Sequence, residues 1–456
     1  MIEFLETCER GNRGERVNQR DFDLNHVYRN MKRLIEEFEL RYDAAEPVPA
    51  DDALADRVFD AAVEFIAASG VYFQDAGRVA RFTRNEVLAA AADHPGEVRL
   101  GSGAEARTLR PRKPDGNTRP WCHVGSGIVA SSERLAEQIV RGNASIETAD
   151  SMSVNALDKI DGRAIRPGEP SEILGALRSI EVARRACRLA GREGLAILNG
   201  IATASSALGT IAAAGCPTSL GPGDAVIVDT LPEFKVNAEE LAKAAYCQAS
   251  KTNLMTASAP MLGGFAGGPE GLAILNTAYA LFGLLVYRCD IYLTLPIHIH
   301  LSCGTTRDMI WATALSGQAI ARNTNLPTLA LAYACGGPWT ESFYYESGAF
   351  IAAAVASGVS IQTPHPAKAV ATDHVTPLEM WTTTRMALGC TGMTRSEANE
   401  VVLRVLPLYE DGLPTASVGK SYAECCDEET GAPRDAYLEF VRGIERTLVG
   451  AGVPFQ

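Results

Sequence analysis

From residue 121 onward, short apolar runs alternate with longer segments whose apolar residues recur at helical spacing. Short runs of this kind are typical of buried strands, and the longer segments are typical of helices that pack on one face. The predicted strands are 121–127, 154–160, 195–198, 225–228, 253–256, 291–298, 328–333 and 359–361. The predicted helices between them include 171–189, 238–249, 271–287, 306–321, 341–356 and 377–388. This alternation predicts an α/β fold, either a (β/α)8 barrel or a doubly wound sheet.

The first 120 residues show mainly the pattern of amphipathic helices, at 25–42, 54–68 and 83–92. The last of these begins with Thr83 and Glu86, at the spacing of a capping box. We therefore expect a helical N-terminal extension over residues 1–120, packed on a main α/β domain of residues 121–410. A helical C-terminal tail over residues 411–456 completes what we expect to be one structural unit.

Charge is sparse in the second half of the chain: only eight charged residues lie between Asn253 and Ala367. The segment 271–287 is too short, at 17 residues, for a comfortable membrane span and contains Asn276 and Thr277, whereas a spanning helix needs about 20 mainly apolar residues. Outer helices of a soluble barrel normally have a charged face. We therefore predict that the helices at 271–287, 309–321 and 342–357 are covered by other copies of the chain, in a homo-oligomer.

The composition excludes several classes of function. The chain of 456 residues has 42 basic and 55 acidic side chains, a net charge of −13, which argues against binding to nucleic acid or to anionic membranes. The charged start has no apolar signal region, so we expect a cytoplasmic protein. Eleven cysteines without a C-x-x-C pair indicate free thiols in a reducing compartment rather than disulfides or a structural zinc.

In parallel barrels the chemistry occurs on the loops that follow the strands, and several polar residues lie there. Glu233, in a neighbourhood poor in charge, is either a general acid or base or an ordinary helix start. His298 and His300 are either two metal ligands or hydrogen-bonded pocket histidines. Glu341 and Trp339 could hold a cation, although Glu341 also suits the first turn of a helix.

Several motifs resemble the monomethylamine:corrinoid methyltransferases of methanogens over most of the chain. They are Gly263-Gly-Phe-Ala-Gly-Gly268, Pro296-Ile-His-Ile299 followed by Thr305-Thr-Arg307, Cys335-Gly-Gly-Pro338 and Gly419-Lys-Ser-Tyr-Ala-Glu-Cys425. The resemblance implies a (β/α)8 TIM barrel that forms a homo-oligomer, such as a hexamer. It also implies transfer of a methyl group from a methylated amine to the cobalt of a corrinoid (cobalamin), which a separate corrinoid protein carries.

The sequence departs from that family at the amine-capturing residues. The family's pyrrolysine matches Leu198 or Asn199, an ordinary residue in either case. A family glutamate matches Ala257 and a family glutamine matches Leu331, whereas a pocket acid and a pocket tyrosine match Glu233 and Tyr333. The resemblance therefore implies a homologue without pyrrolysine.

We accordingly expect a donor whose methyl group already sits on a cationic or quaternary nitrogen, because a neutral amine is a very poor leaving group. We predict no metal site. The predicted catalytic residues are Glu233, His298 and Tyr333. The predicted substrate-binding residues are Asn199, Asp229, Phe265, His300, Leu331, Trp339 and Glu341. Two alternatives stay open: a metal-dependent barrel hydrolase that uses His298 and His300, and a non-catalytic relative that only binds methylamines.

Overall fold

Eight parallel strands, each followed by a helix, form the centre of the molecule. The computed structural model describes residues 3–427 and 429–456. The strands are β1 Cys122–Val124, β2 Ser151–Ser153, β3 Ala196–Asn199, β4 Ala225–Asp229, β5 Asn253–Ser258, β6 Ile291–Thr294, β7 Thr328–Ala330 and β8 Ser360–Gln362. The helices are α1 Glu133–Ala144, α2 Pro170–Leu189, α3 Ala207–Ala214, α4 Ala238–Ser250, α5 Pro269–Phe282, α6 Arg307–Asn323, α7 Glu341–Ala356 and α8 Pro377–Gly389. The predicted (β/α)8 barrel is confirmed.

The strands follow the spatial order β3-β2-β1-β8-β7-β6-β5-β4, and every neighbouring pair is parallel. β3 and β4 are the two edge strands of this order, and they lie side by side as the barrel curls round. The barrel is therefore nearly closed, with its seam between β3 and β4. This seam positions the site described below.

The barrel interior is filled by apolar side chains at its amino end. A hairpin of Val98–Leu100 and Arg107–Leu109 contributes Leu100 and Leu109 to the same cluster as Ala225, Met255 and Leu329. Burial of this apolar surface stabilises the barrel and plugs its lower end. The carboxyl ends of the strands are left as the accessible end.

Residues before β1 cover one side of the barrel. They comprise the helices Phe4–Arg13, Gln19–Asp21, Phe22–Tyr28 (a π-helix), Arg29–Glu37, Asp52–Ser69, Arg84–Ala92 and Gly103–Glu105 (3₁₀). The strands Glu15–Arg16, Arg78–Ala80 and Val71–Phe73 form a small sheet, which Lys235–Val236 joins from the loop after β4. Thr83 and Glu86 form the predicted capping box.

The remaining short elements lie in loops and in the C-terminal tail. They are the paired strands Lys159–Ile160 and Arg163–Ala164, the paired strands Met261–Leu262 and Ile297–His298, the π-helix Gly283–Tyr287, the 3₁₀ helices Ala367–Ala369, Leu406–Leu408 and Glu410–Thr415, and the helices Arg395–Val405, Tyr422–Cys425 and Asp435–Gly450.

One strand was predicted in the wrong place. The segment 154–160 was expected to be a strand, but β2 is the preceding Ser151–Ser153. Its two serines bind polar partners inside the barrel, so the strand lacks the apolar run that the prediction required. The six barrel helices predicted from spacing all form, and α7 has the predicted ends.

The helices with few charges, α5, α6 and α7, are covered by other parts of the same chain. The prediction that other copies of the chain cover them was therefore wrong. Helix Asp52–Ser69 packs on both α5 and α6, while Arg395–Val405 and Asp435–Gly450 pack on α7. Within α5, every residue from Gly271 to Phe282 is buried in the single chain. The low charge of these helices therefore reflects burial under the terminal extensions, and the homo-oligomer stays a prediction.

The segment Pro269–Tyr287 is long and apolar enough to cross a membrane, but 94% of its most apolar stretch is buried inside the protein. It is a core helix of the barrel, continued by the π-helix Gly283–Tyr287. The expectation that this segment is not a membrane span is confirmed. All eleven cysteines are free, and nine of them are buried.

Candidate functional site

A cavity of about 520 Å³ opens at the carboxyl ends of the strands, next to the seam between β3 and β4. Its wall combines apolar side chains, which come mainly from the ends of β4 to β7, with polar side chains from several elements. The apolar wall includes Ile227, Leu231, Ala257, Leu293, Leu295 and Leu331. The polar side chains are Asn199, Ser205, Thr210, Asp229, Glu240, Lys243, Tyr333, Gln362 and His365.

Asp229 ends β4, and its side chain is accessible from the cavity. Its main-chain N–H donates to Glu240 Oε2 at 3.0 Å, and its carbonyl oxygen accepts from Tyr287 Oη at 2.9 Å. Enclosure by the protein and the nearby Glu240 carboxylate raise the pKa of Asp229 to about 6, because both disfavour its ionised form. Asp229 is thus anionic at neutral pH and faces the space where a ligand would lie.

Glu240 and Lys243 reach the cavity from the first turns of α4. Asn237 caps this helix by accepting from the main-chain N–H of Glu240 at 2.9 Å. Glu240 Oε1 accepts from Lys243 Nζ at 2.8 Å, and Lys243 also donates to the carbonyl oxygen of Ser205 at 3.1 Å. Both side chains are buried. A charge inside a protein needs an opposite charge or hydrogen bonds to offset its loss of water, and each of these two side chains supplies that partner for the other.

Tyr333 lies beyond β7 with its ring in the cavity wall, stacked on the ring of His365 at a centroid distance of 5.7 Å. Burial and the Asp229 charge raise the pKa of Tyr333 to about 12, so the phenol stays protonated. Burial lowers the pKa of His365 to about 4, and its Nε2 lies 3.2 Å from the carbonyl oxygen of Gly125. The pair therefore presents an uncharged aromatic surface to the cavity.

Below the cavity, a polar network occupies the barrel interior between β1 and β2. Trp121 Nε1 donates to Ser151 Oγ at 2.7 Å, and the two ring nitrogens of His123 lie 2.8 and 2.9 Å from Ser151 Oγ and Ser153 Oγ. Burial lowers the pKa of His123 to about 3, so the ring is neutral. The network satisfies buried polar groups, and Ser153 Oγ also accepts from Nε2 of the cavity residue Gln362 at 3.5 Å.

Four of the ten predicted site residues line the cavity: Asn199, Asp229, Leu331 and Tyr333. Ala257, a position where the sequence departs from the resembled family, lines it as well. Of the two residues that could match the special position, Asn199 faces the cavity and Leu198 packs in the apolar core of the barrel.

Glu233 lies outside this lining, buried under the loop 263–268. Its Oε1 accepts from the main-chain N–H of Phe265 at 3.2 Å, and a Cβ on Gly264 would lie 2.3 Å from the same oxygen. The glycine-rich loop therefore faces the Glu233 carboxyl group. Burial raises the pKa of Glu233 to about 7, while the neighbouring Lys235 lowers it.

His298 and His300 also lie outside the lining. Their ring centroids are 5.8 Å apart, and His298 Nδ1 accepts from the main-chain N–H of His300 at 3.2 Å. Over residues 3–427 and 429–456, no group of three or more His, Cys, Asp or Glu side chains could hold a metal ion. The histidine pair is thus without the third ligand that a hydrolytic metal site requires.

The other three predicted residues lie away from the cavity lining. Phe265 is 37% exposed on the glycine-rich loop. Trp339 stacks on Tyr437 at 4.8 Å, and Lys420 Nζ lies 3.7 Å from the centre of its ring, so this aromatic face already holds a cation of the same chain. Glu341 is exposed in the first turn of α7.

Four features of this region were not predicted from the sequence: Glu240, Lys243, Gln362 and the His123 network. Glu240 and Lys243 have the spacing of ordinary charges near a helix start. Only the His123 network had a signal in the sequence. Side chains that can form hydrogen bonds stand at positions 121 and 123 and at positions 151 and 153, and alternate positions lie on one face of a strand.

The fold and the cavity are those of (β/α)8-barrel enzymes, which have their sites at the carboxyl ends of the strands. The family model described as "Monomethylamine methyltransferase MtmB" matches residues 2–453. The chain belongs to this methyltransferase family.

Curated relatives and solved structures agree with this family. The monomethylamine methyltransferase MtmB of Methanosarcina mazei is 28% identical over 448 residues, which cover 98% of this chain and 97% of the relative. MtmB1 of Methanosarcina barkeri is 27% identical over the same length. The crystal structure of Methanosarcina barkeri MtmB matches with a TM-score of 0.95 and 26% identity, covering 99% of this chain and 98% of the other. A crystal structure of MtmB in complex with hydroxylamine matches equally well.

Proposed function

We propose that the protein transfers a methyl group from a small, cationic methylated amine to the cobalt of a corrinoid on a separate protein, without pyrrolysine. The observation that carries this proposal is the Asp229 carboxylate, accessible from a cavity whose wall includes the Tyr333 ring. A carboxylate and an aromatic face together attract an ammonium group. The volume of the cavity suits a ligand of this size.

The charge of the cavity supports a cationic donor. Asp229 is anionic at neutral pH, and Glu240 and Lys243 form an ion pair whose opposite charges cancel. The cavity therefore has one net negative charge, which a monocation would neutralise. The apolar side chains Leu293, Leu295 and Leu331 would surround the methyl groups and exclude water.

The proposed chemistry requires a cationic nitrogen. When the C–N bond breaks, its electron pair stays on nitrogen, so a cationic amine leaves as a neutral molecule. A neutral amine would instead leave as a strongly basic anion. Asp229 and Tyr333 would bind and orient the cation, and no proton transfer is needed when the nitrogen is quaternary.

The composition supports a mechanism without pyrrolysine, since all 456 residues are of the twenty standard types. Asn199, the cavity residue at the special position, has an amide that could bind a polar group but cannot form an adduct with an amine. Ala257 and Leu331 make that wall of the cavity apolar.

A corrinoid in its Co(I) state would supply the nucleophile that accepts the methyl group. The chain has no D-x-H-x-x-G sequence for binding a corrinoid itself, which supports a separate carrier protein. Exposed apolar side chains on the loops around the strand ends, at Phe265, Ile299 and Val370, are suited to contact such a carrier.

The experiment mixes the protein with Co(I) cobalamin under anaerobic conditions and adds methylammonium, tetramethylammonium or glycine betaine in turn. The absorption spectrum reports methylation of the corrinoid. We expect methylation with at least one cationic donor, and its loss in Asp229→Asn. The proposal fails if no donor methylates either free cobalamin or a cognate corrinoid protein.

Docking of the carrier can be tested separately. Val370→Asp should raise KM for a corrinoid protein by about tenfold while leaving the rate with free cobalamin unchanged. Val449→Asp is the matched control, since Val449 is also exposed but lies on the C-terminal helix. Equal effects of both variants would contradict docking at the strand ends.

We also propose that the protein is cytoplasmic and that it forms a homo-oligomer. Light scattering of the purified protein measures its oligomeric state.

A further inference from the structure

We infer that Glu240 and Lys243 are positioning residues that fix the net charge of the cavity, and that they thereby select a monocationic donor without a carboxylate group. This inference rests on the proposed function and names the substrate class of the same site. It concerns two residues of α4 that would act on the ligand through Asp229.

Glu240 contacts both the main chain of Asp229 and the ammonium group of Lys243. One of its oxygens accepts from the main-chain N–H of Asp229 at 3.0 Å, and the other accepts from Lys243 Nζ at 2.8 Å. The Glu240 side chain is only 8% exposed and that of Lys243 is 5% exposed. The pair is thus held next to Asp229 and shielded from the screening that weakens exposed ion pairs.

The pairing of Lys243 affects which ligands the cavity can take. Two of the three ammonium hydrogens of Lys243 are used by Glu240 and by the carbonyl oxygen of Ser205. With its charge balanced by Glu240, Lys243 offers little attraction to a ligand carboxylate. A zwitterion whose ammonium group lay at Asp229 would bring its carboxylate into a cavity with one net negative charge, and like charges repel.

The groups that face Asp229 from each packed element are Glu240 and Lys243 on α4, Tyr333 after β7 and Tyr287 after α5. Both tyrosines keep their protons, because burial raises their pKa values. Glu240 raises the pKa of Asp229 and Lys243 lowers it. A change in either member of the pair should therefore change the pH at which Asp229 loses its charge.

The test uses tetramethylammonium and glycine betaine as probes, and measures their binding to the full chain by calorimetry from pH 5 to pH 8. In Glu240→Gln the charge of Lys243 is uncompensated, so tetramethylammonium should bind about tenfold more weakly and the preference for it over glycine betaine should fall by at least as much. In Lys243→Met the midpoint of the pH dependence should move upward by about one pH unit.

Glu239→Gln is the matched control, because Glu239 is the neighbouring residue in the same helix turn but is exposed and lies outside the cavity lining. The double variant Glu240→Gln/Lys243→Met restores a single net negative charge and avoids a buried unpaired charge, which would be destabilising. It should recover the wild-type preference and midpoint.

The outcomes separate this inference from the proposed function. If the wild-type protein binds neither probe, the proposed cation site fails. If it binds tetramethylammonium but Glu240→Gln and Lys243→Met both behave like Glu239→Gln, the cation site stands and the inference is overturned. A double variant that folds but prefers glycine betaine would also overturn it.

Discussion

Two acidic side chains, four residues apart in the chain, lie in different surroundings. Asp229 ends β4 and is accessible from the cavity, whereas Glu233 is buried under a glycine-rich loop whose main chain donates to it. Burial raises the pKa of both carboxyl groups. A raised pKa therefore does not by itself identify a ligand-binding acid, because Asp229 is open to the cavity and Glu233 is covered by the loop although both pKa values are raised.

Of the substitutions considered, removal of the Asp229 charge should have the largest effect on binding of a cation. In Asp229→Asn we expect the affinity for tetramethylammonium to fall about 100-fold, since a cation loses its charged partner in the cavity. Isothermal titration calorimetry measures the change. Glu233→Gln is the comparison variant, and a loss of affinity in Glu233→Gln as large as that in Asp229→Asn would contradict the distinction.

The pH dependence of binding should follow Asp229. Its pKa of about 6 means that the carboxylate is charged at pH 7 and is neutralised as the pH falls through 6. The affinity for tetramethylammonium should thus be constant above pH 7 and fall about tenfold per pH unit well below pH 6. A quaternary probe does not titrate itself, so a flat profile down to pH 5 would exclude Asp229 as its partner.

The aromatic wall should contribute less than the carboxylate. Tyr333→Leu removes the ring and should weaken binding of tetramethylammonium about tenfold, whereas Tyr333→Phe keeps the ring and should change it by less than about threefold. Competition with a fluorescent quaternary ammonium dye measures both variants. Equal losses in the two would show that the hydroxyl, rather than the ring, makes the contact.

Glu233 should affect stability more than binding. Its folded-state pKa of about 7 lies above the ordinary 4.5, so the folded chain holds this proton more tightly and stability falls as the pH rises from 4.5 through 7. Glu233→Gln should therefore raise the free energy of unfolding at pH 8 by about 1 kcal/mol, with a smaller gain at pH 5.

Urea unfolding at the two pH values measures this effect, and exposed Glu439→Gln serves as the control. A variant that is equally stabilised at both pH values would mean that burial of the Glu233 charge is not the cause.

Much of the barrel could be predicted because its helices and strands differ in the period of their apolar residues. Glu341 to Ala356 forms a helix with the predicted ends. β2 was displaced because Ser151 and Ser153 point to polar partners inside the barrel, so its sequence lacks the usual apolar signal. The covering of α5 and α6 by Asp52–Ser69 depends on tertiary packing, which local periodicity does not contain.

The residues of the candidate site could be predicted only where they lie at the ends of the barrel strands. Asn199, Asp229 and Tyr333 lie at or just beyond strand ends, and the topology of a parallel barrel brings such positions together. Glu240 and Lys243 come from a helix, and their sequence spacing is the same whether a helix start faces water or a cavity. Glu233 follows a strand as closely as a site residue would, but it is buried against the loop 263–268 and lies outside the cavity lining.

The most direct test of the central claim is the rate of methyl transfer from deuterium-labelled tetramethylammonium, or from whichever cationic donor proves active, to Co(I) cobalamin in three proteins. Mass spectrometry of the corrinoid measures the transferred label. We predict transfer by the wild-type protein and by Glu233→Gln at rates within about twofold of each other, and loss of at least about 100-fold in Asp229→Asn. Transfer that survives in Asp229→Asn and is lost in Glu233→Gln would contradict the assignment of the cation site to Asp229.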